Sequence, residues 1–475
     1  MNKGTYIYRD LPVDEVFSMA SEILYDAVGH TIGPRGLNSA IPTGNGYLSI
    51  INDGKTILES LSSDNPAVKL ALNTLKESSF ATNQNAGDGT TSTIILQHVL
   101  LKNILLHNQP MNEEDVPEGF TPITSKDLIT IRDKFLTELP GFKKEIKTEN
   151  DLLNVIKVSL GSEDLAPIVL NAFKGLNKDQ RPSLLKTTTS DKTEVISIDG
   201  VSLAPVEVNP VVLRSMAPTA EEPLNVVIIK QQVSRIDKAF ASLLQKMANS
   251  PKKTILLYTE IMPSVLDQIL FNIQEGTLNV IPVRLACSID KVDDIVEELG
   301  KYFNLSPMDD LNPYQTAFNN SNIFGNATGY ILNKDSIIIK NDNEEYSSSL
   351  LPSKSTAIQV GFVTYSQQDE TFRRLEDAIH SAYNAINYGY TLGGGFTYKS
   401  LGDLLPKEPM YKPIQAALGF MFFTLAQDYA LSSEFITYIE DNIFDSYKVT
   451  EQVILNAFTV VSQVLSTQCI IVPYK

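Results

Sequence analysis

The chain has little of what builds the commonest reactive centres. Its 475 residues include two cysteines, Cys287 and Cys469, and four histidines. Each cysteine sits in an apolar, strand-like run, which predicts buried free thiols in a reducing compartment. The histidines fall at no metal-ligand spacing, so no zinc centre is expected. Basic residues are also short. A net charge of −17 argues against nucleic acid or an anionic membrane surface as the main partner. No apolar run reaches the length of a membrane span, and no signal-peptide pattern opens the sequence, so a cytoplasmic protein is expected. No internal repeat or low-complexity segment stands out.

What is present is apolar bulk and one unusual stretch. With 43% hydrophobic residues the chain can build two to four domains with real cores. The stretch is Ala86-Gly87-Asp88-Gly89-Thr90-Thr91-Ser92, between a polar run at 82–85 and an apolar helical run at 94–106. It therefore sits at a helix N-terminus, where free N–H groups and the helix dipole attract an anion. Gly87 and Gly89 let backbone approach a phosphate, Asp88 offers a hard oxygen to Mg²⁺, and Thr90 and Thr91 add hydroxyls. On these residues alone a capped helix start with a Gly-Asp turn is an equal reading. Gly54-Lys55-Thr56 imitates the end of a Walker A loop, but the first glycine of that motif would fall on Ser49, which excludes a P-loop.

Around that stretch the periodicity changes along the chain. Helical spacing at 12–28 breaks at Gly33-Pro34; strands are expected at 38–42 and 47–51, and Asn65-Pro66 opens a helix. Residues 93–107 read as a helix buried on most sides, 111–125 as a surface loop, and 131–146 as a helix broken at Pro140-Gly141. Two helical stretches follow at 151–175, then a hairpin at 183–198. From 201 to 355 strands (226–229, 254–258, 280–285) alternate with helices (235–249, 263–274, 291–303), and strands at 329–332 and 336–340 flank a turn. A strand at 356–364, a helix at 372–387, apolar helices at 415–431 and 448–467, and a closing strand at 468–472 paired with 5–8 complete the reading.

Five elements stand in one order: Thr31-Ile32-Gly33-Pro34, Asp53-Gly54, Gly87-Asp88-Gly89-Thr90-Thr91, Glu376-Asp377-Ala378, and Gly393-Gly394-Gly395. In that order they resemble the group I chaperonins, the bacterial Hsp60 family. The resemblance implies a multidomain α/β and α fold. A mostly helical equatorial domain would span 1–140 and 388–475, a small α+β intermediate domain 141–198 and 356–387, and an α/β apical domain 199–355. It implies an ATP-dependent chaperonin subunit that forms a homo-oligomeric ring, seven subunits in the family, and folds non-native polypeptides. ATP would be bound by Thr31, Ile32, Gly33, Pro34, Gly87, Asp88, Gly89, Thr90, Thr91, Gly394 and Glu440, with Mg²⁺ on Asp88; K⁺ belongs to the same family pattern. Asp53 and Asp377 would serve hydrolysis, Asp377 from a hinged domain. Phe240, Leu243, Leu266, Leu270 and Phe271 match the positions that line the family's client groove.

The sequence departs from that pattern in several places. Asn52 replaces a lysine, and Glu440 stands where the family has aspartate. Residues 341–355 replace a helical pair, aromatics are absent near Pro205, and a hairpin is missing between 430 and 436. These losses imply a reduced chaperonin, with a bacteriophage version in a host cytoplasm as one reading, and a co-chaperonin that is dispensable. A non-hydrolysing ring that serves as a scaffold is the rival.

Overall fold

The computed structural model describes residues 5–33, 36–42, 48–109, 120–178, 180–186, 190–203, 206–286, 289–308, 322–334, 336–341, 354–361, 364–426 and 433–473. The chain packs as two units. The first comprises Met1–Asp179, Lys186–Glu194 and Val360–Lys475, the second Gln180–Leu185 and Val195–Gln359.

The first unit is built on the helix Thr90–His107. Apolar residues on all its faces need cover on all sides. Ile94, Ile95, Leu96, Leu100, Leu101 and Ile104 are all buried, and the helices Val13–Val28, Pro66–Ala86, Lys412–Ala426 and Tyr447–Leu465 pack around them. Phe135, on Ser125–Glu138, meets Phe458 edge-on at 5.6 Å. His98 is part of this core: its Nδ1 lies 2.9 Å from Ser21 Oγ and its ring stacks on Tyr25 at 4.5 Å. Burial holds its pKa below the usual histidine value, so it packs as a neutral ring. The Asn65 side chain caps Pro66–Ala86 by accepting from the amides of Ala67 and Val68, as the Asn-Pro start predicts.

The chain ends close as expected: Thr5–Tyr8 pairs antiparallel with Ile470–Pro473, Tyr8 opposite Ile470. Cys469, just before that strand, is exposed, which corrects the expectation of a buried thiol; Cys287 lies outside the described residues. Ser39–Pro42 and Leu48–Ile51 form an antiparallel pair. The long helix Tyr365–Tyr388 ends at Gly389, and Tyr390 exchanges two backbone hydrogen bonds of 2.8 Å with Lys144. The chain after Pro140-Gly141 and the chain after Gly389 thus run side by side.

The second unit is an α/β block. Leu224–Ile229, Thr254–Tyr258 and Val280–Leu285 run parallel at the centre of a five-stranded sheet, flanked by Gly325–Ala327 and Val206–Val208. Strands buried on both faces read as continuous apolar runs, which is why these three were legible. The helices Lys238–Ala248 and Pro263–Gln274 make the crossovers between them. Gly329–Leu332 pairs with Ile337–Lys340 in a second, four-stranded sheet. One expectation fails: Ser183–Lys186 and Glu194–Asp199 are not a hairpin, because Lys354–Val360 lies between them in a three-stranded sheet. The three-domain division stays a proposal: 1–140 and 388–475 lie in the first unit, 199–355 in the second, and 141–198 with 356–387 divide between them.

Candidate functional site

The site grows from the start of Thr90–His107. A helix leaves its first N–H groups without intrahelical partners, and most helices satisfy them with a side chain. Here the N-cap is Gly89, in the left-handed region at φ 91°, and no side chain caps the helix. That geometry disfavours the capped-turn reading and leaves the first amides of the helix without a side-chain acceptor, a start that suits an anion. Gly87, at φ 71°, is closely covered: a Cβ there would fall 2.3 Å from His380 Cβ.

Three further segments of the first unit close on this helix start. Thr31 is buried, donates to Val28 O at 2.7 Å and stands 3.4 Å from Thr91 Oγ1. Ile32 and Gly33 follow it, with Gly33 against Leu425, while Pro34 lies outside the described residues. Gly54 abuts the side chains of Thr90 and Thr91; a Cβ there would meet Thr91 Oγ1 at 2.6 Å. Asp53, one residue earlier, caps Gly54–Ser60 by accepting from the amides of Lys55 and Thr56. The third segment is Tyr365–Tyr388, which brings Asp377, His380 and Ser381 onto the glycine loop.

Asp88 is fixed from two sides. It accepts from Ser159 Oγ at 2.6 Å and from Ser381 Oγ at 3.0 Å, and also from the Gly89 amide. Burial nonetheless raises its pKa, and the hydrogen bonds offset this only in part. Asp377 is raised much further, first by burial and then by the charges of Asp88, Asp53 and Glu376. Asp445 is pushed up to about 7 by burial and by Asp88. Asp377 thus lies in the field of Asp88 and Asp53, and Asp445 in that of Asp88, all four half-buried, an arrangement that is costly without cationic charge. Among the described residues no group of three or more His, Cys, Asp or Glu is disposed to hold a metal ion.

Two residues at the site, one of these carboxylates and an arginine, escaped the sequence reading. Asp445, on Phe444–Ser446, lies against the triple glycine, where a Cβ on Gly393 would be 2.9 Å from its Oδ1. Glu440, the carboxylate picked from this segment, is exposed on Ser433–Asn442. Gly394, at φ 60°, faces Ile439 and Ile443. The carboxylate beside the glycines is therefore Asp445, and Glu440 is corrected to a surface position. The second missed group is Arg373, whose Nη1 is 3.2 Å from Asp53 Oδ2 and also bonds Thr56 Oγ1.

In the second unit the five expected client residues separate. Phe240 and Leu243 are fully buried and Leu270 is 6% exposed. Leu266 is half-buried against the same core, and Phe271 is 60% exposed. The sheet beneath needs one apolar stripe from each crossover helix, and Phe240, Leu243 and Leu270 supply it. They are corrected to core. Ile236 and Met262 join Phe271 as exposed apolar residues on or next to the two helices, 36% and 40% exposed.

Residues 24–252 match the family model for the TCP-1/cpn60 chaperonin family. The chain is 22% identical to the chloroplastic chaperonin GroEL of Gracilaria tenuistipitata var. liui, over 95% of both chains. It is 23% identical to chaperonin GroEL 1 of Corynebacterium glutamicum (strain R), over 95% of this chain and 93% of that one. Among solved structures its fold is similar to the chaperonin gp146 from the bacteriophage EL 2 (Pseudomonas aeruginosa), crystallised in the presence of ATP-BeFx. The TM-score is 0.70 at 16% identity, and 99% of each chain is covered.

Proposed function

We propose that the chain, whose residues 24–252 match the TCP-1/cpn60 chaperonin family model, is a chaperonin of that kind, an ATP-hydrolysing folding chaperone that works as an oligomeric ring. The observation that carries this reading is the uncapped start of Thr90–His107, on which the Thr31, Asp53 and Asp377 segments close. ATP is the anion that this site takes. The amides after Gly89 hold its phosphates, Thr90 and Thr91 add hydroxyl donors, and Thr31-Ile32-Gly33 covers them. Asp445 and the backbone at Gly394 take the ribose end.

Mg²⁺ fits the donor set. One half-buried carboxylate, Asp88, with phosphate oxygens and waters is the usual protein share of that ion, so a full protein cage is not needed. When bound, the ion offsets phosphate charge; K⁺ rests on the family resemblance alone. Asp377 acts as general base on the attacking water. Its raised pKa moves it from the usual carboxylate range toward that of a working base. Asp53 orders the water and the phosphate end. The helix that carries Asp377 already sets it beside the glycine loop, and its end at Gly389, where Tyr390 pairs with Lys144, is the hinge about which it would adjust when ATP binds.

We place client capture on the exposed apolar residues of the second unit, with Phe271 as the chief contact. An exposed apolar patch binds many unfolded chains without sequence preference. Phe271→Glu is expected to melt like the wild type and to lose suppression of aggregation of a denatured test protein. Phe240→Glu is expected to lower stability by several kcal/mol, roughly the cost of an unpaired buried carboxylate. Melting curves and light scattering check both. Normal melting of Phe240→Glu would return that residue to the surface.

A ring of seven and a dispensable co-chaperonin complete the proposal. Light-scattering mass and steady-state phosphate release test the reading as a whole. A ring with slow turnover is expected, and a monomer without turnover would overturn it.

A further inference from the structure

The candidate site gathers four carboxylates, Asp53, Asp88, Asp377 and Asp445, and is read as taking a polyanion. Few cations stand near enough to offset that charge; Lys55, on the helix that Asp53 caps, acts on Asp377. Position 52 supplies none: the Asn52 side chain donates to Leu37 O at 3.0 Å and to Asn38 Oδ1 at 3.4 Å. Arg374 is spent elsewhere, donating to Leu160 O and Gly161 O at 2.9 Å each. Arg373 is different. It stands four residues before Asp377 on Tyr365–Tyr388, so the two side chains share one face of the helix. Its guanidinium reaches Asp53 Oδ2 at 3.2 Å, and its side chain keeps 36% of its surface exposed. The helix that Asp53 caps begins at Gly54, in contact with Thr90 and Thr91.

We propose that Arg373 is the phosphate-contacting cation of this site: it pairs with Asp53 when no nucleotide is bound and turns to the terminal phosphate when ATP enters. The inference rests on the ATPase reading above. A guanidinium presents several donors in a plane and matches phosphate oxygens as well as carboxylate. In the transfer step the water oxygen bonds to the γ-phosphorus, its proton goes to Asp377, and the bond from phosphorus to the β,γ-bridging oxygen breaks with its electron pair leaving on ADP. Negative charge shifts onto the phosphate oxygens and the bridge, where a positioned cation lowers the barrier. Because Arg373 and Asp377 ride on one helix, a single movement delivers both the charge and the base. The same pair holds Asp53 neutralised until ATP competes for the guanidinium.

The test compares Arg373→Ala, Arg373→Lys and Asp377→Ala with the wild type, as assembled protein. Arg373→Ala is expected to lower kcat about 10²-fold, the usual range for one lost charge-stabilising donor. Affinity for ATPγS should fall while affinity for ADP, which lacks the terminal phosphate, stays level. Arg373→Lys should regain part of the turnover, since lysine restores the charge but not the fork. Wild-type turnover in Arg373→Ala, with Asp377→Ala inactive, would overturn this proposal and leave the ATPase reading intact. Equal losses of ADP and ATPγS affinity would overturn it too, because the residue would then hold the loop rather than the phosphate. If Arg373→Ala fails to fold, Arg373→Lys decides by the same two affinities. Absence of turnover in the wild type would instead defeat the ATPase reading itself.

Discussion

Asp377→Ala is expected to bind ATP and assemble as the wild type does, while turnover falls roughly 10²–10⁴-fold, the usual contribution of a positioned base. The carboxylate is held against the glycine loop by a helix whose His380 covers Gly87 and whose Ser381 bonds Asp88. Removing it leaves the phosphate cradle untouched, so binding and chemistry should separate. Phosphate release and calorimetric titration read the two quantities, and wild-type turnover in the variant would sink the assignment.

Asp377→Asn carries a second expectation, on stability. Burial and the charges of Asp88, Asp53 and Glu376 raise the Asp377 pKa. The folded chain therefore holds a proton at pH values where the unfolded chain has released it. Stability contributed by this group falls as pH rises from the usual carboxylate range through the raised value. Without nucleotide, Asp377→Asn should thus melt above the wild type near neutral pH, and the gap should close toward acid pH. An equal gap at all pH values would contradict the charge argument.

The second large effect is at Asp88. Asp88→Asn keeps an oxygen that can accept from Ser159 and Ser381 but removes the charge. It is expected to fold normally and to bind Mg-ATP at least about tenfold more weakly, equal to about 1.4 kcal/mol. Asp88→Ala should show the same loss of affinity and also lose stability, because the buried Ser381 hydroxyl loses its acceptor, at about 1–3 kcal/mol, and the half-buried Ser159 hydroxyl loses the same partner. Unchanged affinity in the asparagine variant would reduce the loop to a structural turn.

What the sequence made legible follows from how local each signal is. The strand Thr254–Tyr258, the helix Pro263–Gln274 and the pairing of the two chain ends were read correctly, because their burial is written in a few neighbouring residues. The strand Lys354–Val360 inserts between two distant segments and leaves no local mark at 183–198, so a hairpin was expected there instead. Arg373 meets a carboxylate 320 residues away, and an arginine on a polar helix looks like a solvated one. Asp445 sits in a short strand beside Glu440 and Asp441, and nothing local says which of the three turns inward. Phe240 and Leu243 belong to an amphipathic helix, and a stripe that covers a sheet has the same spacing as one that lines a groove.

The most direct test of the account is recovery of a chemically denatured enzyme, diluted into the purified protein with and without ATP. ATP-dependent recovery above the spontaneous level, lost in Asp377→Ala, is the predicted result. Recovery that is the same with and without ATP, or the same in the wild type and Asp377→Ala, would contradict it.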